Sequence, residues 1–289
     1  MTIALIQYNE KDKVLLDILT PSPTTTISGN KLVLNPVARS NGYEPPVVRQ
    51  AFKRGMKSMC LIADDSESGK DYVDMIVPTY EKLGGKILDI EYVKANKGVD
   101  FMTELTKIKG YNPDCLYILA MEEPNARIAK QAREAGIKAK LLFNVHFKQK
   151  IVDEVGIGNL EGTLFAGSPT TLISTAPLGT SDIYLKYRDR YMKRWPGEYI
   201  SATGPYIYHW VYYITRAMEL AGTTTDVYKV RQACNQAAAE TDVVMDFEGY
   251  TKGGRAYGQE IYVMGIENGK VSVISAERYP KELAGAGEK

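Results

Sequence analysis

Sulfur and imidazole side chains are scarce in this sequence: its 289 residues hold three cysteines and two histidines. Cys60, Cys115 and Cys234 stand far apart, and no pair has metal or redox spacing. With only His146 and His209 to add, a zinc site would lack its usual remaining ligands. Cys60 (SMCLI) and Cys115 (DCLYIL) lie in apolar, strand-like runs, where a free cysteine acts as a small core residue. An excess of charge is also missing. Lys+Arg number 36 and Asp+Glu 35, so nothing electrostatic draws the chain to nucleic acid or an anionic membrane. No apolar run approaches the roughly 20 residues of a membrane span. The start, MTIALIQYNEKDK, has no basic opening, long apolar stretch or small-residue cleavage site, and does not read as a signal peptide. No Gly-x-Ser-x-Gly or Ser-His-Asp order is present, and no cysteine has a histidine near it, so nucleophilic catalysis has no candidate. The sequence calls for no cofactor.

What is there is the composition of a globular protein, 44% apolar and 25% charged. The length suits one large domain or two lobes. From residue 57 the chain alternates strand and helix. KSMCLIADD (57–65), KILDIEYV (86–93), PDCLYILAM (113–121), KAKLLFNV (138–145) and GTLFAGS (162–168) read as strands. Residues 70–85, 100–110, 123–136 and the short FKQKIVDEVG read as the helices between them, several closed by glycine. Near-continuous apolar strands joined in this way predict parallel βαβ units with helices on both faces of an α/β sheet. Ligands of such sheets sit at the carboxyl ends of the strands. That directs attention to Thr20–Thr26, Asp64–Lys70, Met121–Glu123, Asn144–Phe147 and Ser168–Thr171.

Beyond Thr171 the beat changes to three helices, at 180–197, 204–222 and 226–240. The second carries Ile207, Val211, Ile214, Met218 and Ala221 on one stripe. A glycine-rich loop (248–258) follows, then two strands around Glu267-Asn268-Gly269, a type I′ hairpin signal.

Several motifs resolve to plain structure. DDSESGK (64–70) imitates a phosphate loop, but Asp64 holds the first glycine position and Asp71 the magnesium-binding hydroxyl position. It reads as a strand-to-helix turn capped by Ser66 or Ser68. GIGNLEG (156–162) precedes a strand and reads as a turn. KYRDRYMKRW (186–195) mixes basic and aromatic residues, yet Asp189 and the helical spacing suit a solvated face with tyrosines beneath it. Glu122 and Glu123 suit the first turn of a helix, where negative charge meets the macrodipole; at that strand end an acid could also meet a ligand ammonium.

The stretch DILTPSPTTTISG (17–29) is different. Ser22, Thr24 and Thr25 follow a strand directly, and Pro21 and Pro23 stiffen the backbone around them. A rigid loop of hydroxyls and free amides suits a carboxylate, the alternative being a polar surface turn. There are 20 tyrosines; Tyr206, Tyr208, Tyr212 and Tyr213 crowd one helix, chiefly as core residues.

In family order over almost the whole chain, LLDILTPSPTTTIS, SMCLIADDSESGKDYVDMIVPTYEKLGGKIL, VDFMTELTKIKGYNPDCLYIL, IAKQAREAGIKAKLLFN, LEGTLFAGSP and GPYIYHWVYYITRAMELAG resemble the branched-chain amino acid (Leu/Ile/Val-binding) family of ABC-transporter substrate-binding proteins, with the periplasmic-binding-protein type I fold. The resemblance implies two α/β lobes closing on a small polar ligand, by default an amino acid, for delivery to a membrane permease. It implies that Ser22, Thr24 and Thr25 hold the ligand carboxylate. It places Met121, Glu122 and Glu123 at the ligand from the other lobe, with Asn144 at the neighbouring strand end. It makes Tyr208 the family's tyrosine on the long helix, and puts His209 where many relatives carry an acid, which loosens the amino-acid expectation.

Relatives carry further βα units and a signal peptide before the segment matching Thr2. Lobe 1 is therefore expected to be partial (1–39 and 223–258), and lobe 2 nearly complete (40–222 and 259–289). Such a chain is expected to bind ligand poorly and to associate through exposed edges. The full-length protein is expected in the periplasm or anchored outside the cell. A cytoplasmic ligand-sensing regulator of the same fold is the rival reading; an α/β enzyme would need a nucleophile–base pair that is not found.

Overall fold

The computed structural model describes residues 2–20, 29–94, 100–167, 182–198, 200, 203–241 and 247–288. In chain order the elements are α1 (Thr2–Asn9), β1 (Leu16–Asp17), β2 (Val33–Leu34), α2 (Ser40–Lys53), β3 (Ser58–Asp64), α3 (Glu67–Lys82), β4 (Lys86–Val93), α4 (Met102–Tyr111), β5 (Cys115–Leu119), α5 (Glu122–Glu134), β6 (Lys140–Phe143), α6 (Gln149–Val155), β7 (Leu164–Gly167), α7 (Asp182–Arg194), α8 (Thr203–Ala221), α9 (Val227–Glu240), β8 (Gly249–Tyr250), β9 (Ala256–Tyr257), β10 (Glu260–Glu267), β11 (Lys270–Arg278) and α10 (Lys281–Ala284). They form two compact units. One is Met1–Gly42, Pro177–Ile261 and Glu277–Lys289; the other is Tyr43–Ala176 and Tyr262–Ala276.

The second unit is built on a seven-stranded sheet of order β11-β10-β7-β6-β5-β3-β4. β7, β6, β5, β3 and β4 run parallel, and β10 joins β7 antiparallel. Burial explains the pattern. Met59 to Ala63 and all of β5 are sealed from solvent, as are Leu141 to Phe143 and Leu164 to Ala166. Each large aliphatic side chain so buried contributes about 1.5–3 kcal/mol of transfer free energy. Helices cover the strands with small apolar faces; α5 supplies Ala126, Ile128, Ala129 and Ala132. Ends obey local rules. Ser66 Oγ accepts the Gly69 amide at 3.2 Å and starts α3, as its position in DDSESGK predicts. Asn268 (φ 52°) and Gly269 (φ 69°) make the β10–β11 turn type I′, and the Glu161 carboxylate accepts both their amides.

The first unit has less sheet. β1 and β2 pair in parallel, and β8 and β9 pair antiparallel, each strand two residues long. Its core is aromatic: Tyr206, Tyr213, Phe247 and Tyr250 pack with Leu34, Ile214, Ala217, Val230, Cys234 and Ala237. The expected stripe on α8 is corrected here. Ile207 and Val211 are 58% and 54% exposed, while Tyr206, His209, Tyr213 and Ala217 face inward with Ile214. Aliphatic periodicity misjudges a helix whose buried face is aromatic. α8 packs on α9, and α9 on β8, and 177–222 falls in this unit; the expected boundaries placed that span, and 277–289, in lobe 2. All three cysteines are buried and unbridged. Among the described residues no helix is long and apolar enough to cross a membrane.

Candidate functional site

Parallel strands β3, β5, β6 and β7 bring their carboxyl ends to one edge of the sheet, where the chain turns into α3, α5 and α6. A four-residue amide network shapes that edge. Asn125 Oδ1 accepts the Ala120 amide at 3.0 Å, Asn125 Nδ2 donates to Asn144 Oδ1 at 3.2 Å, and Asn144 Nδ2 donates to the Ala120 carbonyl at 3.1 Å. Asn144 Oδ1 also accepts the His146 amide at 3.1 Å. Both asparagines are fully buried. Asn144, expected as a ligand contact, is placed here with its side chain bonded inside the protein, where it ties the β5 and β6 ends together.

The clamp fixes the Met121–Glu123 tip. Met121 is the cap of α5 and is 56% exposed. Glu122 and Glu123 occupy the first turn, as their helix-start reading predicts. Each has a basic partner. Glu122 Oε1 lies 3.6 Å from Lys148 Nζ, and Glu123 Oε1 lies 3.3 Å from Arg127 Nη2 one turn along the helix. The Lys148 side chain is only 11% exposed, against 49% for Glu122. Burial lowers the Lys148 ammonium from its usual range, and Glu122 opposes that. Burial, with help from Lys148, holds the His146 imidazole down to about 4, so it is neutral at physiological pH. At the end of β3, Asp65 pairs with Lys70 at 2.8 Å. Among the described residues no three or more His, Cys, Asp or Glu side chains group as metal ligands.

In the first unit the hydroxyl-bearing Ser22, Thr24 and Thr25 lie outside the described residues. Their approach is described, and it is heavily anchored. The Thr20 carbonyl accepts from Asn35 Nδ2 at 2.9 Å and from Arg255 Nη1 at 2.7 Å. The same Arg255 nitrogen reaches the Val37 carbonyl at 2.8 Å, and Asn35 bonds by its backbone to Gly254 and Ala256. Arg255 is fully buried; a buried guanidinium spent on carbonyls fixes the backbone it touches. The Tyr208 ring packs tilted against Tyr187, centroids 4.9 Å apart, and its hydroxyl shares a 3.1 Å hydrogen bond with Tyr212. Rings continue along α7 through Tyr191 to Trp195, the tyrosine-backed face predicted for 186–195. His209 is 3% exposed, set against Phe247 and Tyr213, and neither ring nitrogen has a hydrogen-bond partner among the described residues. Burial drives its pKa down to about 3. His209, expected at the ligand, is placed here as a neutral ring packed in the core of this unit.

Residues 3–270 match the family model described as periplasmic binding protein. The chain belongs to the periplasmic binding protein family. Solved structures agree on the type I fold of that family. A leucine-binding protein, LivK, from Thermotoga maritima superposes with a TM-score of 0.77 at 20% identity, covering 97% of this chain and 77% of that one. A Rhodopseudomonas palustris ABC-transporter solute-binding protein in complex with benzoate gives 0.77 at 13%, covering 98% and 77%. The branched-chain amino acid binding protein LivJ of Streptococcus pneumoniae, in complex with isoleucine, gives 0.74 at 18%, covering 96% and 76%. Among curated proteins no sequence match is found. In this periplasmic binding protein, sequence reasoning missed Asn125, Lys148, Asn35 and Arg255. All four are polar residues that only a tertiary partner explains.

Proposed function

We propose that this periplasmic binding protein is a solute-binding receptor for a small carboxylate-bearing molecule, which it delivers to an ABC permease. The carrying observation is the carboxyl edge of the parallel sheet, where an internal amide clamp presents Met121 and Glu122 at the surface. A family of receptors and a sheet edge of this kind together favour ligand capture over chemistry. Isoleucine and benzoate, held by two of the solved relatives, share a carboxylate. Ser22, Thr24 and Thr25 are assigned to that carboxylate, with the anchored Thr20 carbonyl setting their starting point. Met121, Glu122, Glu123 and Tyr208 are assigned to the rest of the ligand. Such a receptor works in the periplasm or outside the cell.

The test is a thermal-shift panel of amino acids, aliphatic and aromatic acids, amides and urea-like solutes. A ligand at 100 times its Kd adds about 2.7 kcal/mol to the folded state and raises Tm by a few degrees. A Tm rise with one or a few carboxylates supports the assignment and counts against the weak binding expected of a partial lobe 1. A panel that leaves Tm unmoved throughout overturns it.

A further inference from the structure

We infer that Lys148 sets the charge preference of the ligand edge, turning it toward carboxylic acids that lack an α-ammonium group. This deepens the receptor reading and rests on it. An ammonium is usually received by an unneutralised carboxylate. Here Glu122 faces the Lys148 ammonium at 3.6 Å, and Glu123 faces Arg127 at 3.3 Å. The Glu122 partner is the weightier of the two, because the Lys148 side chain is nearly sealed from water and its field is poorly screened. Glu123 and Arg127 form a half-exposed helical pair of the weaker kind. An ammonium docking on the outer side of Glu122 would therefore meet a buried like charge just behind it. An acid without that group meets a tip whose two negative charges are matched by two positive ones. His146 adds no charge, being neutral, and Asn144 and Asn125 are spent on each other and on Ala120. On the same edge Asp65 is paired with Lys70; the neighbouring Asp64 is the acid to control for.

Matched pairs test this by isothermal titration: 3-methylpentanoate against isoleucine, 4-methylpentanoate against leucine, and phenylacetate against phenylglycine. The wild type should prefer the acid of a pair by about tenfold or more. Lys148→Met frees Glu122, which is half-exposed and stays solvated, so the preference should fall by about tenfold or reverse. Lys148→Arg keeps the charge and should keep the wild-type ratio, and Asp64→Asn should leave it unchanged. An amino acid bound more tightly than its acid by the wild type overturns the inference while leaving the receptor standing. So does a ratio unmoved in Lys148→Met, or one that shifts in Asp64→Asn; binding confined to solutes without a carboxylate overturns the carboxylate assignment along with the inference. Absence of binding across these pairs and the wider panel overturns the receptor reading itself.

Discussion

Glu44 gives the sharpest physical prediction in the second unit. It sits in α2 with no solvent exposure. Its Oε2 accepts the Tyr117 hydroxyl from β5, and its Oε1 has no hydrogen-bond partner among the described residues. Tyr72 of α3 feels its charge, and Asp71 stands beside Tyr72 in that helix. Burial pushes the Glu44 carboxyl from 4.5 to about 8, against the opposing hydrogen bond from Tyr117. The folded state therefore holds a proton that the unfolded chain releases above pH 4.5. Stability falls as pH rises between about 4.5 and 8, with no contribution to the slope outside that window. At about 1.4 kcal/mol per pH unit, the loss reaches about 3 kcal/mol at pH 7 and approaches 5 kcal/mol above pH 8. Glu44→Gln cannot titrate. Its amide leaves an unpaired N–H2 where Oε1 stood, at a cost of about 1–3 kcal/mol that pH does not change. Urea unfolding of both proteins at pH 5, 6.5 and 8 should show the wild type ahead at pH 5 and the variant level or ahead at pH 8. The groups common to both cancel in the difference. Curves that run parallel from pH 5 to 8 would refute the reasoning.

Asn144→Ala removes three hydrogen bonds, two of them buried, and takes the Nδ2 donor from the Ala120 carbonyl. It should cost about 3–5 kcal/mol in urea unfolding and speed amide exchange around Met121; a cost under about 1 kcal/mol would count against the clamp. Gly254→Ala sets a Cβ 1.9 Å from the Val33 carbonyl oxygen at φ +89°. It should lower Tm by at least several degrees through the Asn35–Arg255 anchor region, and an unchanged melting curve would contradict that packing.

The fold of the second unit was legible because its elements obey local rules. KILDIEYV is a strand with the bounds read from its pattern, and Ser66 and Asn268-Gly269 announce a cap and a turn by their own chemistry. The first unit was legible only in part. α1 reads as an unremarkable terminus, and the strand expected just before Ser22 pairs over Leu16–Asp17 alone. In α2, Pro45 and Pro46 hide a helix, since proline is disfavoured in helix interiors. α8 was half legible: Tyr206 and Tyr213 are in the core as expected of its tyrosines, but the aliphatic stripe through Ile207 and Val211 pointed to the wrong face. At the site, the Met121–Glu123 tip followed from the rule for parallel sheets. Its charge state did not, because the partner of Glu122 lies 26 residues away and is joined to it only by the meeting of β5 and β6.

The receptor assignment is tested most directly by titrating the best carboxylate of the panel into the wild type and into a chain carrying Ser22→Ala, Thr24→Val and Thr25→Val. Hydrogen bonds to a charged group are worth about 1.5–3 kcal/mol each, so losing even one hydroxyl contact weakens binding about tenfold or more. The account predicts one site per wild-type chain and at least that loss in the variant, with Tm in the absence of ligand preserved. Equal affinity in the two proteins would contradict it.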